Sequence, residues 1–206
     1  MNQPIALEAA EALFARFCLP WYSPADLQRR GHTGVRPDLE VDVAPPLTPA
    51  RRLHTAPPEA LHYVRQAQQA LLDRAVTEWT RDLQVSGTPS LEWLDAFDRR
   101  HDPARVAALV ATSDLERRDN AYIGAAASLA AVLGAVLCER VPRAAWLLES
   151  PGWESAVYDA RSSSRANIFH WALRRLSADG VDHGLRAKLL EVTTALEQQA
   201  GGAATK

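Results

Sequence analysis

An uncharged run of nineteen residues, Asn120 to Cys138, constrains the fold of this chain more than any other feature of its sequence. The run is nearly long enough to cross a hydrocarbon layer of about 30 Å, so a transmembrane helix is one interpretation. Against it, much of the run is alanine or glycine, and charged residues of both signs flank both ends. We therefore expect a buried core helix and no membrane partner. Small residues should let neighbouring elements approach it closely, at Gly124, Ser128, Ala131 and Gly134.

Apolar residues at helical spacing predict further helices around this central one. The clearest begins at Pro57-Pro58-Glu59 and stops before Gly87, with Val64, Leu71 and Trp79 among the residues of its apolar face. That face should pack in the core while the opposite face meets water. Shorter helices are expected over residues 4–20, 90–97, 102–109, 168–176 and 185–196.

After Pro142 the helical period gives way to short apolar runs. Residues 144–149 and 153–160 are separated by Ser150-Pro151-Gly152, a strong turn signal, so they predict a β-hairpin. A second turn, RSSSR, follows, and the alternating segment Leu39 to Val43 is a further strand that can join the sheet. The sequence thus predicts a predominantly α-helical α+β fold, with helices around a central Ala/Gly-rich buried helix and one small antiparallel β-sheet near the C-terminal half.

The chain length fits one globular domain, which we place at residues 1–199. Residues 20–58 are an irregular arm rich in proline, and so long a connection is uncommon inside a compact domain. The arm either wraps the surface as a structured segment or is partly disordered. Residues 200–206, AGGAATK, should be a disordered tail.

Composition narrows the choice of partners and cofactors. The 23 basic and 25 acidic residues nearly cancel, so we expect no nucleic-acid partner. Two cysteines are too few for a disulfide framework or a zinc site, and the six histidines show no helical spacing, so we expect no metal. No cofactor motif is visible. Arginine far exceeds lysine, which is typical of a GC-rich bacterial genome, and the N-terminus lacks a secretion signal. We therefore expect a bacterial, cytoplasmic protein.

One polar stretch, residues 159–175, has two interpretations. Serine and asparagine there are typical of a turn and a helix cap. Alternatively, free N–H groups at the helix start could bind an anion together with exposed Arg161 and Arg165. Helical spacing turns His170 towards solvent or a groove. It puts Arg175 within the apolar arc, where its guanidinium must either reach out to solvent or meet a carboxylate. The full set of residues for the anion site is Arg161, Ser163, Ser164, Arg165, Asn167, His170 and Arg174.

The order of elements over residues 121–176 resembles a layout found in small bacterial domains of unknown function. It consists of an Ala/Gly-rich helix, a tryptophan-bearing β-hairpin and the helix NIFHWALRRL. The resemblance supports the fold and implies no activity or site residue.

For function, we expect a non-catalytic bacterial protein-binding module, such as an adaptor, an inhibitor or an immunity-like partner protein. Catalytic motifs are missing, the arm is rich in proline, and the six tryptophans are many for this length. Trp21 and Trp153 stand beside turns and prolines, so we expect these two to be exposed and to contact another protein. The alternative is an enzyme or a small-ligand-binding protein that recognises an anionic group at residues 159–175.

Overall fold

The computed structural model describes residues 6–31, 33–41, 58–149, 151–180 and 184–202. The predicted α+β class is confirmed: the protein is 63% helical and has one small four-stranded antiparallel sheet in its C-terminal half. The helices within the described residues are α1 (Ala10–Phe17), α2 (Pro24–Arg30), α3 (Pro58–Asp82), α4 (Leu91–Arg100), α5 (Pro103–Thr112), α6 (Ala121–Arg140), α7 (Ile168–Arg175) and α8 (Gly184–Gly202). The strands are β1 (Leu39–Val41), β2 (Ala144–Leu147), β3 (Ala156–Asp159) and β4 (Ser164–Ala166).

The uncharged run forms α6, which lies at the centre of the core. Asn120 caps its first turn by accepting a hydrogen bond from the backbone N–H of Ile123 at 3.0 Å. Leu129, Leu133 and Leu137 are fully buried, and α6 packs against α3, α5, α7, α8 and two strands. Length and composition alone would allow α6 to cross a membrane, but 67% of its most apolar stretch is buried inside the protein. The predicted buried helix is therefore present.

Close approach to α6 occurs at Gly134. A Cβ atom on Gly134 would lie only 1.9 Å from Cζ2 of Trp146, so the indole of Trp146 in β2 packs directly on the helix backbone. Gly124 differs, since a Cβ there would meet only Nη1 of Arg74 at 4.0 Å. The prediction that small residues let neighbours approach α6 closely is therefore confirmed at Gly134, whereas the contact at Gly124 is looser.

The sheet has the strand order β1-β4-β3-β2, with every neighbouring pair antiparallel. Strands β2 and β3 form the predicted hairpin, with Trp146 opposite Val157. Strand β1 joins the sheet as expected, but it pairs with β4, in the register Leu39 to Ala166. Strand β4 occupies residues that the sequence assigned to a turn, which is a correction: only residues 160–163 turn. Residues 42, 43 and 150 lie outside the described part.

The predicted arm contributes defined elements to the fold. Within residues 20–58, the structure describes α2, β1 and the segments beside them, whereas residues 32 and 42–57 lie outside the described residues. Helix α1 buries its predicted apolar stripe, including Leu13, Phe14 and Phe17, while residues 1–5 again lie outside. At the other end, α8 continues through Gly202, into the predicted tail, and residues 203–206 are not described.

Candidate functional site

The residues of the predicted anion site fall on β4, on the turn before it and on α7. Arg165 of β4 is buried rather than exposed, which corrects the expectation. Its guanidinium donates from Nε to Oδ1 of Asn167 at 2.9 Å and from Nη1 to Oε1 of Glu149 at 3.3 Å. Glu40 of β1 lies 3.5 Å away. Carboxylates of the protein itself therefore already surround this arginine.

A second buried charge cluster is centred on Glu154, in the 3₁₀ turn Gly152–Glu154 between β2 and β3. Its carboxylate accepts hydrogen bonds from Nε of Arg30 at 2.8 Å and from Nε of Arg36, also at 2.8 Å. The hydroxyl of Tyr22 donates to the same carboxylate. The guanidinium of Arg30 also lies 4.6 Å from the ring centroid of Phe14, so it is enclosed by aromatic rings and carboxylate. The N-terminal segments are thereby tied to the C-terminal sheet.

His170 belongs to this cluster and is not exposed to solvent. Only 1% of it is accessible, so the prediction from the helical wheel was wrong. Its Nδ1 accepts from the backbone N–H of Arg36 at 3.3 Å, which leaves the neutral imidazole's proton on Nε2, 3.3 Å from Oε1 of Glu154. The face of α7 opposite its apolar arc is covered by the segment around Arg36, a contact between residues far apart in sequence.

Electrostatics fix the charge states within the Glu154 cluster. Burial would raise the pKa of Glu154, but hydrogen bonds from His170 and Tyr22 and the charge of Arg30 outweigh it, so its pKa lies well below the usual range. Burial lowers the pKa of His170, and Arg30 and Arg36 add to that effect. At neutral pH the cluster thus contains an anionic glutamate and an uncharged imidazole. Both side chains are buried, so the pair is inaccessible to a substrate and serves to hold the 3₁₀ turn.

The remaining residues of the predicted anion site do not converge on one point. Arg161 is exposed, Ser163 has a positive φ of 52° in the turn, and the Ser164 hydroxyl donates to the carbonyl of Ser162 at 3.1 Å. Arg174 donates to Oδ1 of Asp38 at 2.7 Å. Arg175 meets a carboxylate, one of its two predicted outcomes, with Nε 2.5 Å from Oδ1 of Asp98. These contacts fit the structural interpretation of residues 159–175, and anion binding there stays a prediction.

The two tryptophans predicted to be exposed are not. Trp21 is partly buried against the core, and Trp153 is only 8% exposed. The prediction took a position beside a turn as a sign of exposure. It was wrong for Trp153 because the 3₁₀ turn that carries this residue packs inward against Tyr22 and Phe169. The ring of Trp153 nevertheless contributes to the wall of a surface groove.

This groove has a volume of about 840 Å³. Helix α3 forms one side, the first half of α6 forms the floor, and the 3₁₀ turn with Trp146 forms the other side. Tyr63 stands at its edge with 69% of its surface exposed. We call this feature the α3–α6 groove.

The lining of the α3–α6 groove is apolar and built largely from small side chains. On α6 it includes Gly124, Ala127 and Ala131, which are spaced by three and four residues and so share one face. On α3 it includes Ala67 and Ala70, both exposed. The lining stretch of α3 from residue 63 to residue 74 spans about 16 Å at 1.5 Å per residue. Two helix faces therefore border a long, open channel.

The lining of the groove includes the charged side chain of Arg118. Its guanidinium lies 4.7 Å from the ring centroid of Trp153, a cation–π geometry. The other charged lining residues are paired, Arg74 with Glu78 at 2.8 Å and Asp119 with Arg117 at 3.1 Å. Among the residues that the structure describes, no carboxylate lies within ion-pair distance of Arg118.

Sequence reasoning missed this groove. The apolar face of α3 was assigned wholly to the core, yet Val64 and Leu71 are only half buried and line the groove. The one available signal was alanine at positions 67 and 70, which are too small to fill a core layer. No family model, curated protein or solved structure matches the chain.

Proposed function

We propose that this protein is a non-catalytic binding module whose α3–α6 groove accepts an amphipathic helix of another protein. The observation that carries the proposal is the groove itself, an open apolar channel of about 840 Å³ bordered by two helix faces. An amphipathic helix can bury its apolar stripe in such a channel while its polar face stays in water. Adaptor, inhibitor and immunity-like roles all use binding of this kind.

The shape of the groove favours a helix over a small molecule. Small-molecule sites usually enclose most of the ligand surface. This groove is instead open to solvent along α3, where Tyr63, Ala67 and Ala70 are exposed. Small residues on both bordering helices also favour close helix packing, because the distance between packed helix axes depends on the side chains at the contact. The length of about 16 Å corresponds to three turns of a guest helix.

A catalytic function has less support. Glu154, His170 and Tyr22 are acid–base groups by type, but all three are buried, and Tyr22 and His170 both lie against the Glu154 carboxylate. The alternative of an anion-recognising enzyme or ligand-binding protein at residues 159–175 would require an incoming anion to compete with Glu40, Glu149 and Asp38 for the arginines there. A bacterial source and a cytoplasmic location remain proposals from composition.

Site-specific photo-crosslinking in the source cell tests the proposal. A photoreactive phenylalanine analogue replaces Ala70, which is exposed and lines the groove, or Ala187, which is exposed on α8 and does not line it. We expect a covalent protein adduct from position 70 and none from position 187. Mass spectrometry should locate the adduct in a partner segment whose apolar residues recur every three or four positions.

A groove-blocking variant makes the test specific. Ala127→Arg places a long charged side chain on the groove floor and should abolish the adduct from position 70. Failure of position 70 to give a protein adduct, equal adducts from both positions, or an adduct that survives Ala127→Arg would each contradict the proposal. A lipid adduct alone would also contradict it.

A further inference from the structure

We infer that the partner helix carries a carboxylate that pairs with Arg118, so that the α3–α6 groove selects the charge of its guest. This inference rests on the proposed function. It begins from the pairing of charges at the groove: Arg74 and Asp119 have partners within the protein, whereas Arg118 has no carboxylate within ion-pair distance among the described residues. Arg118 is thus the unmatched charge of the lining.

The guanidinium of Arg118 is exposed but already has one contact within the protein. It stacks over Trp153, whose ring is buried between Tyr22 and Phe169. The next residue, Glu154, anchors the turn through its buried ion pairs with Arg30 and Arg36. A rigid platform reduces the side-chain entropy that ordering an arginine on binding would otherwise cost.

Desolvation then determines which guest fits. An apolar guest helix in the groove would remove water from one side of Arg118, and a guanidinium that loses water without gaining an acceptor is costly. A carboxylate on the guest restores the lost hydrogen bonds and can pair bidentately with the planar guanidinium. A lysine or arginine at the same place would be repelled.

The position of Arg118 makes the groove asymmetric. The guanidinium of Arg118 lies over Trp153, on the side of the groove that the 3₁₀ turn forms, whereas α3 forms the opposite side with the exposed Ala67 and Ala70. A guest helix must therefore place its acidic residue on the side of its apolar stripe that faces the 3₁₀ turn.

The test uses a displayed library of helical peptides as the probe. Peptides of about 15 to 18 residues are long enough to form helices, and all positions outside a fixed apolar stripe are randomised. Selections are made against the wild-type protein, Arg118→Glu, Arg118→Gln and the control Arg81→Glu. Arg81 is exposed on α3 outside the groove, so this control makes the same change in net charge.

We expect wild-type selections to enrich Asp or Glu on one side of the apolar stripe. Arg118→Glu should enrich Lys or Arg there instead, Arg118→Gln should show no charge preference, and Arg81→Glu should behave as wild type. An acidic peptide selected on wild type should bind Arg118→Gln about fivefold more weakly, the usual upper effect of one exposed ion pair. Circular dichroism of each variant verifies that it is folded.

The outcomes separate this inference from the proposed function. Peptides that lose binding on Ala127→Arg but show the same charge preference on wild type, Arg118→Glu and Arg118→Gln would overturn the inference and leave the groove's function standing. If every selected peptide still binds Ala127→Arg, both the inference and the proposed function are wrong.

Discussion

Two glycines of α6 should respond to the same substitution with opposite signs. In Gly134→Ala the new Cβ would lie 1.9 Å from Cζ2 of Trp146, a distance that no relaxed structure tolerates, so the indole or the helix must move. In Gly124→Ala the nearest atom would be Nη1 of Arg74 at 4.0 Å, the end of a flexible, exposed side chain. Gly134 lies in the interior of α6, whereas Gly124 lies in its first turn.

The expected magnitude follows from two terms. Replacing glycine by alanine in a helix interior gains about 1 kcal/mol, which applies in full to Gly134→Ala and is an upper value for Gly124→Ala. Overpacking a core costs about 1–3 kcal/mol, and that cost applies to Gly134→Ala alone. The free energies of unfolding should therefore differ by up to about 3 kcal/mol. Gly124→Ala should be more stable than wild type.

Urea unfolding followed by far-ultraviolet circular dichroism measures both free energies. Near-ultraviolet dichroism adds a local reporter, because Trp146 must reorient in Gly134→Ala and need not in Gly124→Ala. If both variants were stabilised equally, with the tryptophan signal unchanged, the contact between α6 and β2 would be placed wrongly.

Three further variants test ionisable side chains of the interior. Burial lowers the pKa of His101 to about 4, so the unfolded state binds the proton more readily than the folded state. The free energy of unfolding should therefore fall as the pH drops from 7 towards 4, by about 2 kcal/mol at pH 5. His101→Gln should remove that much of the decline between pH 7 and 5 in urea titrations, and an unchanged decline would contradict the assignment. Glu154→Gln should cost about 3–5 kcal/mol in the same assay, because it leaves Arg30 buried without its carboxylate, whereas the exposed Asp82→Asn should change little. Arg175→Ala should lower stability by about 1–3 kcal/mol, whereas Arg161→Ala should not; equal effects would refute this distinction.

Features that depend on local pattern were predicted from the sequence. The run Asn120 to Cys138 predicted α6 because nineteen uncharged residues leave few alternatives to burial. The turn at Pro151-Gly152 predicted the hairpin of β2 and β3, and the arc containing Arg175 predicted that it reaches solvent or meets a carboxylate. In each case the information lies within a few residues of the element concerned.

Features that depend on distant segments were not predicted. His170 looked exposed on a helical wheel, but Arg36, far away in the chain, covers that side of α7. Strand β4 is only three residues long and polar, and it exists because β1 and β3 pair with it on both sides. The α3–α6 groove depends on Tyr63, Ala67 and Ala70 of α3 staying exposed, which periodicity cannot report.

Hydrogen–deuterium exchange can show whether the partner binds in the α3–α6 groove. The protein is compared alone and in complex with the partner captured from position 70. Binding of a helix in the α3–α6 groove predicts slower amide exchange across residues 63–74 of α3, because a partner that packs there suppresses local opening of this exposed half of the helix. Residues 159–166 should exchange at the same rate in both states. Slower exchange confined to residues 159–166, with α3 unchanged, would contradict the account and favour the turn before β4 as the binding site.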